Sequence, residues 1–409
     1  MSQLKGNMVI AQGGGPTAVI NQSLVGAILE ARRSPEIGEI YGALHGVRGI
    51  RDAQFVDLRQ ATTANLEAVA KTPSAALGST RDKPDDAYCE KMFEVMRDRN
   101  IRYFFYIGGN DSSETVRIIN DKSKQTGYEL RCIHIPKTID NDLTVTDHTP
   151  GFGSAAKFVA QAFAGVNLDN RSIPGIYLGV VMGRSAGFLT ASSAFARRYE
   201  DDGPHLIYLP ERQFSVESFV EDVKEVYNRI GRCVIAVSEG IWSEMDDNGK
   251  HKPMILSIYE HRGEEVPRDP FGHPQLGGGA LADTLVALIR DNLNVGRVRG
   301  DTFGYLQRSF VGCASDVDQE EARCVGERAV QFACHGDSSG SVCMRRVGDY
   351  AIEYFLETEI EKIGGKTKYM PEEWINERGN NVTEAFCAYA KPLIGTPVTA
   401  ERLAAPVVE

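Results

Sequence analysis

Apolar residues in this chain come in short unbroken runs, and each run ends in glycine or in a charged turn. Asn7-Met8-Val9-Ile10-Ala11 leads into Gly13-Gly14-Gly15, after which apolar residues recur at helical spacing over residues 16–32. A run of this kind reads as a strand buried on both faces, and proline at the first turn suits a helix start. The unit repeats. Residues 102–107 enter Gly108-Gly109 ahead of a polar helix over 112–124, and residues 131–135 enter Pro136-Lys137-Thr138-Ile139-Asp140-Asn141-Asp142. A second series follows Pro150, with a helix over 154–166 and strands over 175–181 and 232–238, which end in Met182-Gly183-Arg184 and Glu239-Gly240.

Strands alternating with helices predict an α/β fold of two doubly wound, Rossmann-like lobes whose mainly parallel sheets face a central cleft, with ligands at the C-terminal strand ends. Residues 1–150 with 309–345 are expected in one lobe, and 151–308 with 346–409 in the other. Beyond about residue 358 the chain is poor in motifs and is assigned to packing or subunit contacts. The length of 409 residues and an apolar fraction of 42% suit a core larger than one compact domain holds.

Charge and cysteine content narrow the setting. A formal charge of −11 argues against nucleic acid as a partner, while leaving room for a small anion in a local basic pocket. Eight cysteines without a CxxC pair sit mostly in apolar runs, as reduced, packed cysteines do, which points to the cytoplasm. No stretch has the order of a signal peptide, and no apolar run is long enough for a membrane span. His134 and His148 read as packed or solvated side chains rather than catalytic ones, and no spacing suggests zinc.

Three turns carry candidate chemistry. Gly13-Gly14-Gly15 lets backbone N–H groups approach an anion at a helix N-terminus, although an ordinary tight turn has the same composition. Gly108-Gly109-Asn110-Asp111-Ser112 repeats that geometry with a polar tip; Asp111-Ser112-Ser113-Glu114 equally fits a helix capping box. In the third turn Asp140 and Asp142 stand two apart, so an extended chain would aim both to one side. One carboxylate can then take a proton from an attacking hydroxyl while the other positions metal or water, with Lys137 as a compact cation for a phosphoryl oxygen. The alternative there is a polar turn with a satisfied ion pair. Arg81, Arg184 and Arg308 each follow an apolar stretch, and their guanidinium forks suit phosphate oxygens. Glu239 ends a strand where it can accept hydrogen bonds from sugar hydroxyls.

In their order these segments resemble the phosphofructokinase family over residues 7–310. The carrying motifs are Gly14-Gly15, Leu77-Gly78-Ser79-Thr80-Arg81, Gly108-Gly109-Asn110-Asp111-Ser112, Pro136 to Asp142, Met182-Gly183-Arg184, Glu239-Gly240 and Gly304-Tyr305-Leu306-Gln307-Arg308. The resemblance implies phosphoryl transfer to the 1-hydroxyl of fructose 6-phosphate, with Asp140 as general base and Lys137 and Arg184 assisting. It implies sugar contacts from Thr138, Ile139, Met182, Gly183, Arg184 and Glu239. Arg299, Tyr305 and Arg308 match positions that hold the 6-phosphate, Arg299 commonly reaching over from a neighbouring subunit, so a homodimer or homotetramer with shared sites is implied. Gly14, Gly15, Arg81, Gly109, Asp111, Ser112 and Lys137 fall on the donor side, in the first lobe, and Asn110 and Asp142 at the position of Mg2+.

The donor turns on two residues. ATP-using members of the bacterial type have glycine where this chain has Asp111 and Lys137, whereas in pyrophosphate-using members the aspartate takes the space and charge of a nucleotide α-phosphate. The resemblance therefore implies pyrophosphate as donor and a reversible reaction. An ATP-dependent enzyme of the same family, some of whose members share the lysine motif, and a non-catalytic sugar-phosphate binding subunit are the competing readings. The second is motivated by Pro16 and Asn110, which stand at aspartate positions of the family. No arginine near Val25 matches the bacterial effector site, so control by ADP or phosphoenolpyruvate of that kind is not expected.

Overall fold

The computed structural model describes residues 4–268, 274, 276–336, 338–396 and 400–405. Its larger sheet has seven strands: β1 (Gly6–Gln12), β2 (Ile37–Ala43), β3 (Phe55–Asp57), β4 (Ile101–Gly108), β5 (Arg131–Pro136), β12 (Gly340–Val347) and β13 (Ala351–Glu357). Their order is β13-β12-β5-β4-β1-β2-β3, parallel except for the outermost strands β3 and β13. The chain winds one way from β1 to β2 and the other way from β4 to β5. The crevice where the winding reverses therefore opens above the C-terminal ends of β1 and β4. The central strands are apolar because both faces are covered. Phe105 and Ile107 face a core with helices Ile20–Ala31 and Asp316–His335, while Phe104 and Tyr106 face helices Asp86–Asp98 and Asn110–Thr126. Helices Ile20–Ala31 and Asp316–His335 touch backbone to backbone through Gly26 and Gly326, where any Cβ would strike Arg323 O or Ser23 O.

The second sheet is parallel, in the order β11 (Val298–Thr302), β6 (Ile176–Val181), β8 (Cys233–Ser238), β7 (Leu206–Tyr208). It too is covered on both sides. Helix Phe152–Ser172 and helix Glu384–Ile394 pack on one face with Phe163, Phe188 and Phe386, and helices Val216–Ile230 and Ala280–Asn292 pack on the other. A small hairpin, β9 (Trp242–Met245) with β10 (His251–Pro253), follows β8. Two doubly wound lobes thus face each other. The expected return to the second lobe at residue 346 is corrected: β13 completes the first sheet, and Ile360 and Ile363 still pack on the first lobe. The second core is rejoined at Met370 and Ile375.

None of the eight cysteines, all among the described residues, is in a disulfide, and six of them are buried. Among the described residues no helix is long and apolar enough to cross a membrane.

Candidate active site

The strand ends of both lobes meet at a cavity of about 450 Å³. From the first lobe it is lined by Gly14, Gly15 and Arg81, by Gly109, Asn110, Asp111 and Ser112 after β4, and by Lys137, Thr138, Ile139, Asp140 and Asp142 after β5. From the second come Met182 and Arg184 after β6, Glu239 after β8 and Arg308 after β11. Residues scattered over more than two hundred positions are brought together because most of them end or follow parallel strands pointing at the same crevice, while Arg81 comes from the loop between helices Thr63–Ala70 and Asp86–Asp98.

The two glycine turns differ from expectation in instructive ways. After β1, Gly13 N–H donates to Ile107 O (2.8 Å) and Gly14 N–H to Thr80 O (3.0 Å), and the helix starts only at Ile20. The cradle of free amides on a helix N-terminus is therefore not found at the first turn. The second turn does run straight into a helix, which begins at Asn110 directly after Gly109, and that helix's first turn lines the cavity. The capping box is also corrected: Asp111 is an exposed residue of the first turn, Gly109 occupies the cap position, and Glu114 pairs with Arg117. The Asp111 carboxylate caps nothing and is left facing the cavity.

In the third turn the chain is not extended. Asn141 adopts a left-handed backbone (φ 58°) and is fully buried between Asp140 and Asp142. The two carboxylates share the cavity through this turn rather than through strand alternation. Burial raises the pKa of both above the usual carboxylate range. The cations Arg308, Arg184 and Lys137 oppose that rise at Asp140, while at Asp142 the neighbouring Asp140 charge adds to it. Lys137 Nζ donates to Gly15 O (2.5 Å), and burial followed by the Arg308 charge pushes its pKa down to about 7. Arg308 lies against the same glycine, where an added Cβ would come within 2.9 Å of its guanidinium carbon. Glu239 accepts from Gly183 N–H (3.4 Å), and burial with the Asp140 charge lifts it to about 7. Gly240 is required beside it, since any Cβ there would overlap Arg184 O.

Asn110 Oδ1 is buried without a hydrogen-bond partner, while Asn110 Nδ2 donates to Asp142 Oδ2 (2.9 Å). An unpaired amide oxygen beside a carboxylate is a hard oxygen pair of the kind that holds a divalent cation with phosphate oxygens and water completing its shell. Among the described residues no group of three or more His, Cys, Asp or Glu side chains could hold a metal alone.

Three expected residues do not line the cavity. Gly183 is set back, its N–H on Glu239. Tyr305 is 67% exposed, with its ring 4.6 Å from the Arg308 guanidinium. Arg299 is exposed on edge strand β11, donating to Val298 O (2.9 Å). Conversely, the C-terminal segment contributes what sequence reasoning missed: Gly365 and Thr367 line the cavity, and Lys368 N–H donates to Asp142 O (2.7 Å).

Residues 7–333 match the model of the family described as "Phosphofructokinase". A Rhodospirillum rubrum protein named "Pyrophosphate--fructose 6-phosphate 1-phosphotransferase" is 60% identical over 96% of this chain and 95% of its own length. One of the same name from Xanthomonas campestris is 37% identical over 95% of this chain and 91% of its own. The crystal structure of a pyrophosphate-dependent phosphofructokinase from Nitrosospira multiformis superposes with a TM-score of 0.84 at 32% identity, covering 97% of this chain and 94% of that one. With its strand ends, its paired carboxylates and these likenesses in agreement, the chain belongs to the phosphofructokinase family.

Proposed function

We propose that this protein transfers a phosphoryl group from pyrophosphate to the 1-hydroxyl of D-fructose 6-phosphate, giving fructose 1,6-bisphosphate and orthophosphate. The observation that carries the choice of donor is Asp111, an uncapped carboxylate on the first turn after β4, in the cleft shared with Lys137 and Asp140. The names borne by the Rhodospirillum and Xanthomonas relatives support it.

Asp140 takes the hydroxyl proton as the sugar oxygen attacks phosphorus and the bridging P–O bond breaks, releasing orthophosphate. A carboxylate whose affinity for protons is raised by burial is a better base than one in water. Lys137 and Arg184 balance charge on the transferring group, and catalysis is mostly positioning and electrostatics. Thr138, Ile139, Met182 and Glu239 form the sugar side, and Arg308 takes the 6-phosphate. Gly14, Gly15, Arg81, Gly109 and Ser112, all in the first lobe, form the donor side, while the second lobe serves the sugar together with Thr138 and Ile139 of the first. Magnesium, when bound, offsets the charge of pyrophosphate; Asp142 and Asn110 Oδ1 are the residues that would hold it. Tyr305, whose ring lies on Arg308, joins it at the 6-phosphate, and Arg299 reaches the 6-phosphate of a neighbouring copy in a homodimer or homotetramer, which fits its exposure and that of Leu306 and Val311, 60% and 79% exposed. The reaction takes place in the cytoplasm.

Because pyrophosphate and a sugar phosphate are closer in transfer potential than ATP and the ester, the reaction runs both ways. Incubation of the purified protein with fructose 1,6-bisphosphate, magnesium and orthophosphate should yield fructose 6-phosphate and pyrophosphate; absence of both products refutes the assignment.

A further inference from the structure

Behind the Lys137 to Asp142 loop lies a buried charged cluster that the proposed reaction does not use. The His148 side chain is almost wholly buried, with Nδ1 2.7 Å from Asp147 Oδ1 and Nε2 2.5 Å from Glu321 Oε2. Both neighbours are carboxylate oxygens, which accept hydrogen bonds. A neutral imidazole has one N–H and would set its lone pair against one of them, so the geometry is that of an imidazolium donating twice. Around the pair, Tyr350 Oη donates to Glu321 Oε1 (2.6 Å), Arg346 Nη2 to Asp147 Oδ1 (3.2 Å), and Lys368 Nζ to the backbone oxygens of Thr146 and Asp147 (3.2 and 2.8 Å).

The next residue reaches the catalytic loop. Thr149 N–H donates to Asn141 Oδ1 (3.1 Å), and Thr149 Oγ1 donates to Thr138 O (3.0 Å). Asn141 Nδ2 donates to Tyr389 Oη (2.8 Å), whose hydroxyl donates to Asp147 O (2.9 Å). Both ends of the Asn141 amide thus hang on the segment that His148 pins. Asn141 is held in a left-handed backbone, which asparagine adopts more readily than most residues, and the bonds to Thr149 and Tyr389 fix it there. Glu321 stands on the same helix as Asp318, which accepts from Gly151 N–H and Ser154 N–H (2.8 and 2.9 Å) and so grips the segment just beyond.

We propose that His148, donating from both ring nitrogens to Asp147 and Glu321, is a positioning residue that holds Asp140 and Asp142 in their reacting geometry. The inference rests on the reading of Asp140 as the base. Burial works against a charge on the ring, but the hydrogen bonds it makes to Asp147 and Glu321 outweigh that and lift the ring above ordinary histidine. Loss of the ring proton at high pH breaks one of the two bonds and loosens the Thr149 to Asn141 tether, so turnover falls on the alkaline side.

The test pairs nuclear magnetic resonance with kinetics on the full chain. In protein labelled with 15N-histidine, with His148→Gln to assign the signal, both ring nitrogens of His148 should report as protonated at pH 7.5; a singly protonated ring overturns the proposal. His148→Gln should lower kcat about tenfold or more while KM for pyrophosphate and for fructose 6-phosphate moves less than about threefold. Wild-type kcat in that variant overturns the proposal. Glu321→Gln should shift the alkaline limb of kcat to lower pH, and an unmoved limb overturns it even if His148→Gln does not fold. The ring readout does not depend on turnover, so it stands apart from failure of the Asp140 reading, which would show as an active Asp140→Asn variant.

Discussion

Replacing Asp111 with glycine should turn a pyrophosphate enzyme partly toward ATP. The carboxylate lies exposed on the first turn of helix Asn110–Thr126, at the rim of the cavity, and caps no amide, so its removal leaves no hydrogen bond unmade in the helix start. Two like charges about 5 Å apart repel by roughly 1–3 kcal/mol between the water and protein-surface dielectric limits. Exposure places Asp111 toward the lower end, so about 1–2 kcal/mol, or a gain of about 5- to 30-fold in kcat/KM for ATP, is expected. Against this stands a loss of about 0.3–1 kcal/mol of helix stability from a first-turn acidic residue, plus a few tenths for glycine. That penalty is small beside the change in donor ratio, and Asp111→Asn, which removes charge without adding glycine, separates the two effects. The assay couples fructose 1,6-bisphosphate formation to aldolase with each donor at fixed magnesium. An ATP to pyrophosphate ratio unchanged in both variants would refute repulsion by Asp111.

Two further outcomes follow from the same geometry. Asp140→Asn cannot take the hydroxyl proton, so kcat should fall about 10²- to 10⁴-fold with little change in either KM; a loss confined to KM would remove it as the base. Glu239, lifted to about 7 from an ordinary 4.5, contributes stability that is complete below pH 4.5 and lost as pH rises through about 7. Glu239→Gln should therefore be more stable than the parent at pH 8, by at most a few kcal/mol, with the advantage shrinking toward pH 5, as followed by denaturant melts. A difference independent of pH would contradict that sign.

What the sequence showed depended on how completely an element is buried. The strands β1, β4, β5, β6 and β8 are apolar on both faces and could be read as unbroken runs, within about a residue of their ends. β11 (Val-Arg-Gly-Asp-Thr) and β2, with Gly38 and Glu39 exposed, carry polar residues because they lie toward sheet edges, and neither was legible. The helix after the first glycine turn starts later than its apolar spacing suggested, since Pro16 lines the crevice and Thr17 to Val19 are buried without helical structure before the first helical turn. Asp140 and Asp142 were found together on an argument from extended chain, yet it is the left-handed Asn141 that places them, and a local pattern cannot show that. The run Gly364-Gly365-Lys366-Thr367-Lys368 lies in the motif-poor region assigned to packing or subunit contacts. Only the tertiary fold reveals that Lys368 is held by the Thr146 and Asp147 carbonyls, with burial lowering its pKa to about 8.

The central claim is that pyrophosphate, and not ATP, is the donor, and a two-donor assay tests it most directly. Purified protein with magnesium and saturating fructose 6-phosphate should form fructose 1,6-bisphosphate with pyrophosphate, and orthophosphate in equal amount, while ATP supports a rate lower by about tenfold or more. Equal rates with both donors, or turnover with ATP alone, would contradict the account.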